Sequence, residues 1–159
     1  MYRNNHGFTL IEIIAVLVLM SIIAAGVLVR TLNTDQMDLM AQVAKIRNHI
    51  RYAQAMAMKR SEIWGINCVA EEYWLFQDST SDPVQLPGEQ ADTISLADFG
   101  VSIEDDFSVY FDKYGRPYTA YTDETDNTPV SVGNPLPITI SGGSGSVTLS
   151  VTPETGLIQ

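Results

Sequence analysis

A long apolar run close to the amino terminus constrains this chain more than any other feature. Phe8 to Val29 comprises 22 residues, of which only Thr9, Glu12 and Ser21 are polar. A helix rises about 1.5 Å per residue, so this run is long enough to cross about 30 Å of hydrocarbon. A cleavable secretory signal, the competing interpretation, has a shorter apolar core of about 7–15 residues. The run therefore predicts a retained membrane helix over residues 8–29.

An acidic residue, Glu12, lies inside this run and needs an explanation. An ionised carboxylate at the centre of a membrane helix costs about 2.5–3.5 kcal/mol on insertion-based scales. The run contains no basic residue that could neutralise it. Two interpretations follow from the residues alone. Either Glu12 is protonated or reaches the nearby membrane interface, or its partner lies on another chain.

The charge of the chain is distributed unevenly. Residues 30–60 carry six basic and two acidic side chains, a balance of +4, whereas residues 61–159 carry two basic and sixteen acidic ones, a balance of −14. So acidic a segment repels phosphate backbones, and we therefore expect no binding of nucleic acid. Solubility is the main role expected of these charges.

The residues that usually carry catalysis or bind metals are scarce. Cys68 is the only cysteine, so neither an intramolecular disulfide nor a cysteine-based metal site can form. The only histidines, His6 and His49, lie on opposite sides of the apolar run. With one cysteine and two separated histidines, the chain has too few of the residues that form a catalytic triad or a zinc site. The sequence therefore predicts a protein that is not an enzyme.

The segment after the apolar run predicts a second helical stretch. Residues 39–60 contain neither glycine nor proline. Their apolar residues recur every three or four positions, which indicates one buried helix face, while Lys45, Arg51 and Lys59 fall off that face and are expected to be solvated. We expect one helix, or two nearly continuous ones that meet near Thr31–Asp35, from Phe8 to Arg60. The predicted buried stripe consists of Leu39, Val43, Ile46, Ile50, Ala53 and Ala57.

Residues 61–159 show the alternating pattern of β-strands. Two runs flank the sequence SGGSGS and predict a β-hairpin, while the segments Asp78–Asp92 and Thr122–Pro137 are expected to be loops. The helical stripe and a single antiparallel sheet would each cover the other's apolar face, which predicts an α+β fold with a small β-rich head. The strand residues are Trp64, Ile66 and Cys68; Tyr73–Gln77; Phe107, Val109 and Phe111; Ile138 and Ile140; and Val147, Leu149 and Val151.

The amino-terminal residues resemble those of type IV pilins and type II secretion pseudopilins. The polar leader MYRNNHG is followed by Phe8-Thr9-Leu10-Ile11-Glu12 and then by the long apolar segment. Three further segments, RYAQAMAMKR, FDKYGRP and VTLSVTPETGLIQ, are similar to minor pseudopilins of the H kind and related minor pilins. The chain lacks both the mid-helix proline and the disulfide of many major pilins, which also favours a minor subunit.

This resemblance implies a division of the chain and a processing step. Residues 1–7 would be a leader, 8–29 a transmembrane and filament-core helix, 30–60 its amphipathic continuation and 61–159 a periplasmic head. A prepilin peptidase would cut between Gly7 and Phe8 and methylate the new amino terminus of Phe8. In the filament, Glu12 would meet the amino terminus of Phe8 in a neighbouring subunit.

The resemblance also implies a location and a set of partners. The chain would reside in the bacterial inner membrane, with its amino terminus in the cytoplasm, and then enter a pilus or pseudopilus. This orientation rests on the resemblance, because Arg3 alone gives the leader a firm positive charge. The expected partners are other pilin-like subunits, the prepilin peptidase and the inner membrane. The alternative function is that of a membrane-tethered periplasmic binding or adhesion module.

Three smaller groups of residues remain as secondary candidates. The loop DETDN offers oxygen ligands for calcium but lacks the spacing of a recognised calcium site, so we expect a solvated loop and no cofactor. Buried positions are expected for Cys68 and for the aromatic residues near it, with an adhesive patch as the alternative for the aromatics. A partner surface is a further hypothesis for the tyrosines around FDKYGRPY. The residues concerned are Asp123, Glu124, Asp126 and Asn127 in the loop; the aromatics Trp64, Tyr73, Trp74 and Phe76; and the tyrosines Tyr110, Tyr114, Tyr118 and Tyr121.

Overall fold

The computed structural model describes residues 9–143 and 145–159, and within residues 25–35 it describes the backbone alone. The chain divides into two compact units, Met1–Thr34 and Asp35–Gln159. Both are described below, each by itself. The second unit is referred to as the head.

Helix α1 extends from Leu10 to Arg60. It begins two residues after the predicted start, and Phe8 itself lies outside the described residues. Lys59 and Arg60 lie in its last turn, where positive charge is favourable next to the free carbonyl groups. The residue after the helix, Ser61, adopts a left-handed φ of 60° and donates its N–H to the Ala57 carbonyl at 2.9 Å, which ends the helix.

A membrane-spanning helix was predicted over residues 8–29. Among the helical residues that the structure describes, none form a stretch both long and apolar enough to cross a membrane. Residue 8 and the side chains of residues 25–29, which belong to the predicted span, lie outside the described part of the chain.

The strands of the head form two antiparallel sheets rather than the single sheet predicted from the sequence. The larger sheet has the order β3-β2-β1-β6-β7-β8, with β4 also pairing with β2, and the smaller has the order β10-β9-β5. A short 3-10 turn, Ala97–Phe99, precedes β5. The strands are β1 Trp64–Val69, β2 Glu72–Gln77, β3 Pro83–Val84, β4 Thr93–Ser95, β5 Val101–Ile103, β6 Phe107–Phe111, β7 Pro117–Tyr121, β8 Asn127–Pro129, β9 Leu136–Gly142 and β10 Gly145–Val151.

The predicted helical stripe lies at the centre of the head. All six of its residues, from Leu39 to Ala57, are buried and belong to one apolar core with residues of both sheets. Lys45 differs from the prediction, because it is not fully solvated. Its ammonium group lies 2.8 Å from Glu89 Oε1 and 5.0 Å from the centre of the Phe99 ring.

Both segments predicted to be loops contribute to the fold. The segment Asp78–Asp92 contains β3 and places Leu86 in the core. The segment Thr122–Pro137 contains β8, buries Val130 and overlaps the start of β9. A single apolar residue among polar ones carries no periodicity, and strands of two or three residues are too short for an alternating pattern. The loop prediction was therefore wrong at these positions.

Candidate assembly site at the amino-terminal helix

Thr9 and Glu12 build the first turn of α1. The Glu12 N–H lies 3.1 Å from the Thr9 carbonyl oxygen and 3.4 Å from Thr9 Oγ1. A threonine followed three residues later by a glutamate is the pattern of a capping box, in which the threonine hydroxyl satisfies a free N–H at the helix start. Glu12 also places negative charge near the positive end of the helix dipole. One function of Glu12 is therefore local, because it helps to begin the helix.

The surroundings of Glu12 indicate a second function. The large apolar side chains from Leu10 to Ile23 are 46–77% exposed. Glu12, Ile13, Val16 and Leu17 line a shallow groove of about 270 Å³ on this surface. Soluble monomeric proteins rarely expose a contiguous apolar patch of this extent, and such patches mark contacts with other proteins or with lipid. Glu12 is an exposed carboxylate within a largely apolar surface. Among the described residues of the first unit, none packs over this surface.

The predicted processing site falls next to this turn. Gly7 and Phe8 lie outside the described residues, so the cleavage between them and the methylation of Phe8 remain predictions. Among the predicted processing and assembly residues, the structure describes Glu12 alone.

In the head, the turn between β6 and β7 is organised by Asp112. Its Oδ1 accepts hydrogen bonds from the backbone N–H groups of Tyr114, at 2.8 Å, and Arg116, at 2.9 Å. Its Oδ2 accepts the Tyr118 hydroxyl at 3.1 Å. Burial, followed by the nearby Asp112 carboxylate, raises the pKa of Tyr118, so the phenol remains a hydrogen-bond donor. Gly115, with a φ of +78°, completes the turn.

This turn forms one wall of a half-open cleft of about 590 Å³. Tyr114 is 66% exposed, and its ring centre lies 5.4 Å from both Lys113 Nζ and Arg116 Cζ. Three of the four tyrosines predicted as a surface line the cleft, whereas Tyr110 packs against Phe76. The lining residues are Ser61, Glu62, Ile63, Asp78, Asp112, Lys113, Tyr114, Arg116, Tyr118, Tyr121 and Glu124.

The three segments that carry the resemblance to minor subunits meet at one side chain. Gln54, on α1, donates from Nε2 to the Gly115 carbonyl at 2.9 Å and to the Thr155 carbonyl at 2.7 Å. Gly156 has a φ of +64°, and a Cβ at that position would lie 2.9 Å from the Gly115 carbonyl oxygen. These segments therefore form a joint that fastens the carboxyl-terminal residues and the β6–β7 turn to the helix. The sequence gives no signal for this contact, because the partners of Gln54 are far away along the chain.

His49 lies in the interior of the head. Its Nδ1 is 3.0 Å from the Tyr73 hydroxyl, and its Nε2 is 3.8 Å from Glu89 Oε1. Burial lowers the pKa of His49, and the smaller effect of Glu89 opposes this. Both His49 and Tyr73 are buried, so a substrate has no access to the pair. The arrangement fastens the loop that carries Glu89 to the helix.

Several oxygen atoms of the candidate calcium loop accept hydrogen bonds from residues of the same loop. Asp123 Oδ1 accepts hydrogen bonds from the N–H groups of Thr125 and Asp126 and from the Thr125 hydroxyl, at 2.6–2.8 Å. These bonds lower the pKa of Asp123. Asn127 donates to the carbonyl groups of Asp123 and Glu124, and Lys113 pairs with Glu124 at 3.1 Å. The described part of the chain holds no group of three or more His, Cys, Asp or Glu residues placed to bind a metal.

The predicted burial is confirmed for Cys68 and for three of the four aromatic residues, but not fully for Trp74. Trp64, Tyr73, Phe76 and Cys68 are buried, while Trp74 is half-buried and donates its indole N–H to the Thr80 carbonyl at 2.8 Å. Burial raises the pKa of the Cys68 thiol to about 12, so it remains a neutral, small apolar side chain.

Comparison with known proteins bears on the amino-terminal residues. Residues 2–28 match a family model described as the prokaryotic N-terminal methylation motif. No curated protein and no solved structure matches the chain. The match covers residues 2–7 of the predicted leader, the predicted processing site and Glu12. The chain therefore carries, over residues 2–28, the N-terminal methylation motif that is the signature of type IV pilins and pseudopilins.

Proposed function

We propose that this chain is a structural subunit, a minor pilin or minor pseudopilin, of a type IV pilus or type II secretion filament. The observation that carries the proposal is the methylation motif over residues 2–28. The exposed apolar surface from Leu10 to Ile23 supports it, because a filament subunit needs such a surface for contacts with its neighbours. The role is that of assembly and not of catalysis.

In this proposal, a prepilin peptidase cuts between Gly7 and Phe8 and methylates the amino group of Phe8. Cleavage would leave Thr9, the residue that caps α1, as the second residue of the mature chain. The new positive amino group would then stand beside the helix end that is already positive. This positive charge lies next to an apolar surface, where a carboxylate such as Glu12 of a neighbouring subunit would be a favourable partner.

Before assembly, residues 8–29 would anchor the chain in the bacterial inner membrane, with the amino terminus in the cytoplasm and the head in the periplasm. The composition of both parts supports this arrangement. The run has three polar residues among 22, whereas residues 35–159 carry seven basic and eighteen acidic side chains, a net charge of −11. An anchor of this length spans the hydrocarbon, and so charged a head stays in water.

During assembly, Glu12 would pair with the amino terminus of Phe8 in a neighbouring subunit. Packing the apolar surfaces of several helices together removes Glu12 from water, and a buried carboxylate needs a partner of opposite charge. A shift of the helices along their axes would separate both charges from their partners. The pair would therefore fix the axial register of the subunits, while the apolar contacts supply most of the attraction.

The test is the variant Glu12→Gln, which keeps the shape of the side chain and removes its charge. Cleavage after Gly7 should continue. Association with pilin-like subunits, measured by cross-linking in cell envelopes, should fall at least tenfold, because a partnerless buried charge costs about 3–5 kcal/mol. Glu104→Gln, which removes an exposed carboxylate from the head, serves as the control. Association of Glu12→Gln at the wild-type level would refute the pairing.

A tethered binding module is the second candidate, and the cleft at the β6–β7 turn favours it. Its volume of about 590 Å³ is that of a typical ligand site, and Tyr114 offers an exposed aromatic ring. Such a module uses its anchor for location alone. A binding module would therefore keep its function in Glu12→Gln and would need Tyr114 to bind its ligand. A filament subunit would instead lose association with pilin-like subunits in Glu12→Gln and would not need Tyr114 for that association.

A further inference from the structure

Strand β10 forms an unusually open edge of the smaller sheet. It pairs with β9 on one side, in an unbroken register from Gly145 opposite Gly142 to Val151 opposite Leu136. Its sequence, GSVTLSV, contains neither charge nor proline. Proteins usually protect sheet edges with charges, prolines, bulges or very short strands, and β10 uses none of these over its seven residues.

The other outer strands of the head show that protection. Strand β3 has two residues and contains Pro83, while β8 has three residues and contains Pro129. The pairing of β8 is also interrupted by a register shift. Strands β4 and β5 have three residues each. The contrast marks residues 145–149 of β10, which Ile158 and Gln159 do not cover, as the longest unprotected edge among the described strands.

The hydrogen-bonding groups on this edge can be assigned from its neighbours. Ser150 lies opposite Pro137, which has no N–H, and its own N–H and C=O instead pair with the backbone of Gln159, both at 3.1 Å. Backbone direction alternates along a strand, so Ser146 and Thr148 point the same way as Ser150. Consistently, Thr139 opposite Thr148 gives its carbonyl to the Glu104 N–H at 3.1 Å, away from β10.

Ser146 and Thr148 therefore direct their backbone groups toward the outer edge of the sheet. Within residues 9–143 and 145–159, no backbone hydrogen bond reaches this edge at Ser146 or Thr148. The adjacent positions show that the edge accepts a strand. Ile158 forms an antiparallel bridge with Val151, and the backbone of Gln159 pairs with that of Ser150. An added segment would continue the sheet beside Ser146 and Thr148.

A small cavity of about 90 Å³ lies at the start of β10. Leu39, Met40 and Val147 supply its apolar walls. It is lined by α1 and by the β9–β10 hairpin, and no residue of β5, on the other side of β9, contributes to it. The cavity therefore belongs to the β10 side of the sheet, where an aliphatic side chain of an added strand could enter it.

We propose that β10 receives an extended segment of a neighbouring pilin-like subunit. The segment would pair with the backbone of Ser146 and Thr148 and place one aliphatic side chain in the cavity beside Val147. Strand addition of this kind takes its affinity from backbone hydrogen bonds and its specificity from side-chain pockets. A second copy of this chain is a poor occupant, because two heads of net charge −11 repel each other. The added segment should therefore be neutral or basic.

This inference rests on the proposed function, and a pair of variants at one position tests it. Thr148→Pro in the full chain removes an N–H from the free edge and leaves the ladder to β9 intact. Thr148→Val is the matched control, because it also removes the hydroxyl that lies 3.0 Å from Thr139 Oγ1 but keeps the N–H. Cross-linking to pilin-like subunits in cell envelopes should fall at least tenfold for Thr148→Pro relative to Thr148→Val.

Hydrogen exchange provides a measurement that needs no variant. The amides of Ser146 and Thr148 should exchange rapidly in the purified full chain in detergent and slowly in the assembled state. The amide of Val132, which is fully exposed in the head, should exchange equally fast in both. If Thr148→Pro melts far below Thr148→Val, loss of association could reflect unfolding. In that case the exchange measurement tests strand addition in place of the variants.

The outcomes separate this inference from the proposed function. Loss of association in Glu12→Gln but not in Thr148→Pro would keep the filament function and overturn strand addition. Loss in Thr148→Pro but not in Glu12→Gln would keep strand addition and overturn the Glu12 pairing. Equal exchange of Ser146 and Thr148 in both states, self-association through β10, or a wild-type chain that meets no pilin-like subunit would each overturn strand addition.

Discussion

Two stretches of helix α1 use apolar residues in opposite ways. From Leu10 to Ile23 the large apolar side chains are 46–77% exposed, whereas the six residues of the stripe from Leu39 to Ala57 are at most 4% exposed. The later stretch is apolar on one face, and the strands of its own chain cover that face. The earlier stretch is apolar on every face. The contrast shows that the strands of the head cover the apolar face of their helical stretch, while the apolar side chains from Leu10 to Ile23 have no cover among the described residues.

Charged groups follow the same division. In the head, Lys45 pairs with Glu89 and Asp112 accepts three hydrogen bonds from its own turn. In the first unit, the contact described for Glu12 is the hydrogen bonding of its own backbone N–H to Thr9. Lys45 and Asp112 therefore have partners within the head, whereas the proposed partner of the Glu12 carboxylate lies on another subunit. The predictions that follow test this contrast from the largest expected effect to the smallest.

Shortening a side chain should affect stability in the head but not in the first stretch of the helix. Ile46 is fully buried, and Ile46→Ala should lower the free energy of unfolding by about 2–5 kcal/mol. Leu17→Ala, at an exposed position, should leave it unchanged within about 0.5 kcal/mol. Denaturant unfolding of the full chain in detergent, followed by the fluorescence of the buried Trp64, measures both. An equal loss of unfolding free energy in Ile46→Ala and Leu17→Ala would contradict the claim that the head is stabilised by its own core.

The joint at Gln54 should produce the next largest effect. Gln54→Ala leaves the carbonyl groups of Gly115 and Thr155 without their donor, which should cost about 1–3 kcal/mol. The residues after Thr152 should also become more sensitive to proteases. Gln90→Ala, at an exposed loop position, is the control. If both variants unfold at the same denaturant concentration as the wild type, the joint does not fasten the carboxyl-terminal residues.

The sequence predicts the regular parts of this fold and misses the parts made by isolated residues. The stripe from Leu39 to Ala57 and the β9–β10 hairpin follow from periodicity and turn composition, and both are confirmed. Leu86 and Val130 carry no such pattern, although both are buried. The sequence pattern also did not reveal the division of the strands into two sheets. Strand β5 is too short to show an alternating pattern, and it pairs with β9, which is far away along the chain.

The candidate site shows the same limit. The motif around Glu12 is local and could be found from the sequence, as could the threonine that precedes it by three positions. The joint at Gln54 could not, since residues 61 and 101 positions away meet there. The open edge of β10 is likewise a property of the sheet order, which a hairpin pattern does not reveal.

Acidification should weaken the head modestly through His49. Burial, assisted by Lys45 and opposed by Glu89, lowers its pKa in the folded chain below the ordinary 6.5. The unfolded chain then binds the proton more readily, so this contribution is constant above pH 6.5 and is lost as the pH falls toward the folded pKa. Unfolding measured between pH 7.5 and 5.5 should show the loss in the wild type and a flatter profile in His49→Gln. Identical profiles would exclude His49 as the cause.

The smallest effect is expected from calcium. Asp123 Oδ1 is already engaged by Thr125 and Asp126, so the loop can be stable without an ion. Millimolar calcium should leave the melting temperature of the chain unchanged, as should the same concentration of magnesium. A rise with calcium alone, abolished in Asp126→Asn, would instead identify a calcium site in this loop.

The mass of the mature chain tests the central claim most directly. In cells that contain a prepilin peptidase, intact-mass and amino-terminal analysis should find a chain that lacks residues 1–7 and begins with a methylated Phe8. A bulky residue in place of Gly7 should leave the leader attached, because the peptidase site must fit a residue without a side chain. A mature chain that begins after Ala24, Ala25 or Gly26 would instead make the apolar run an ordinary secretory signal, and would contradict the account of Glu12 as an assembly residue.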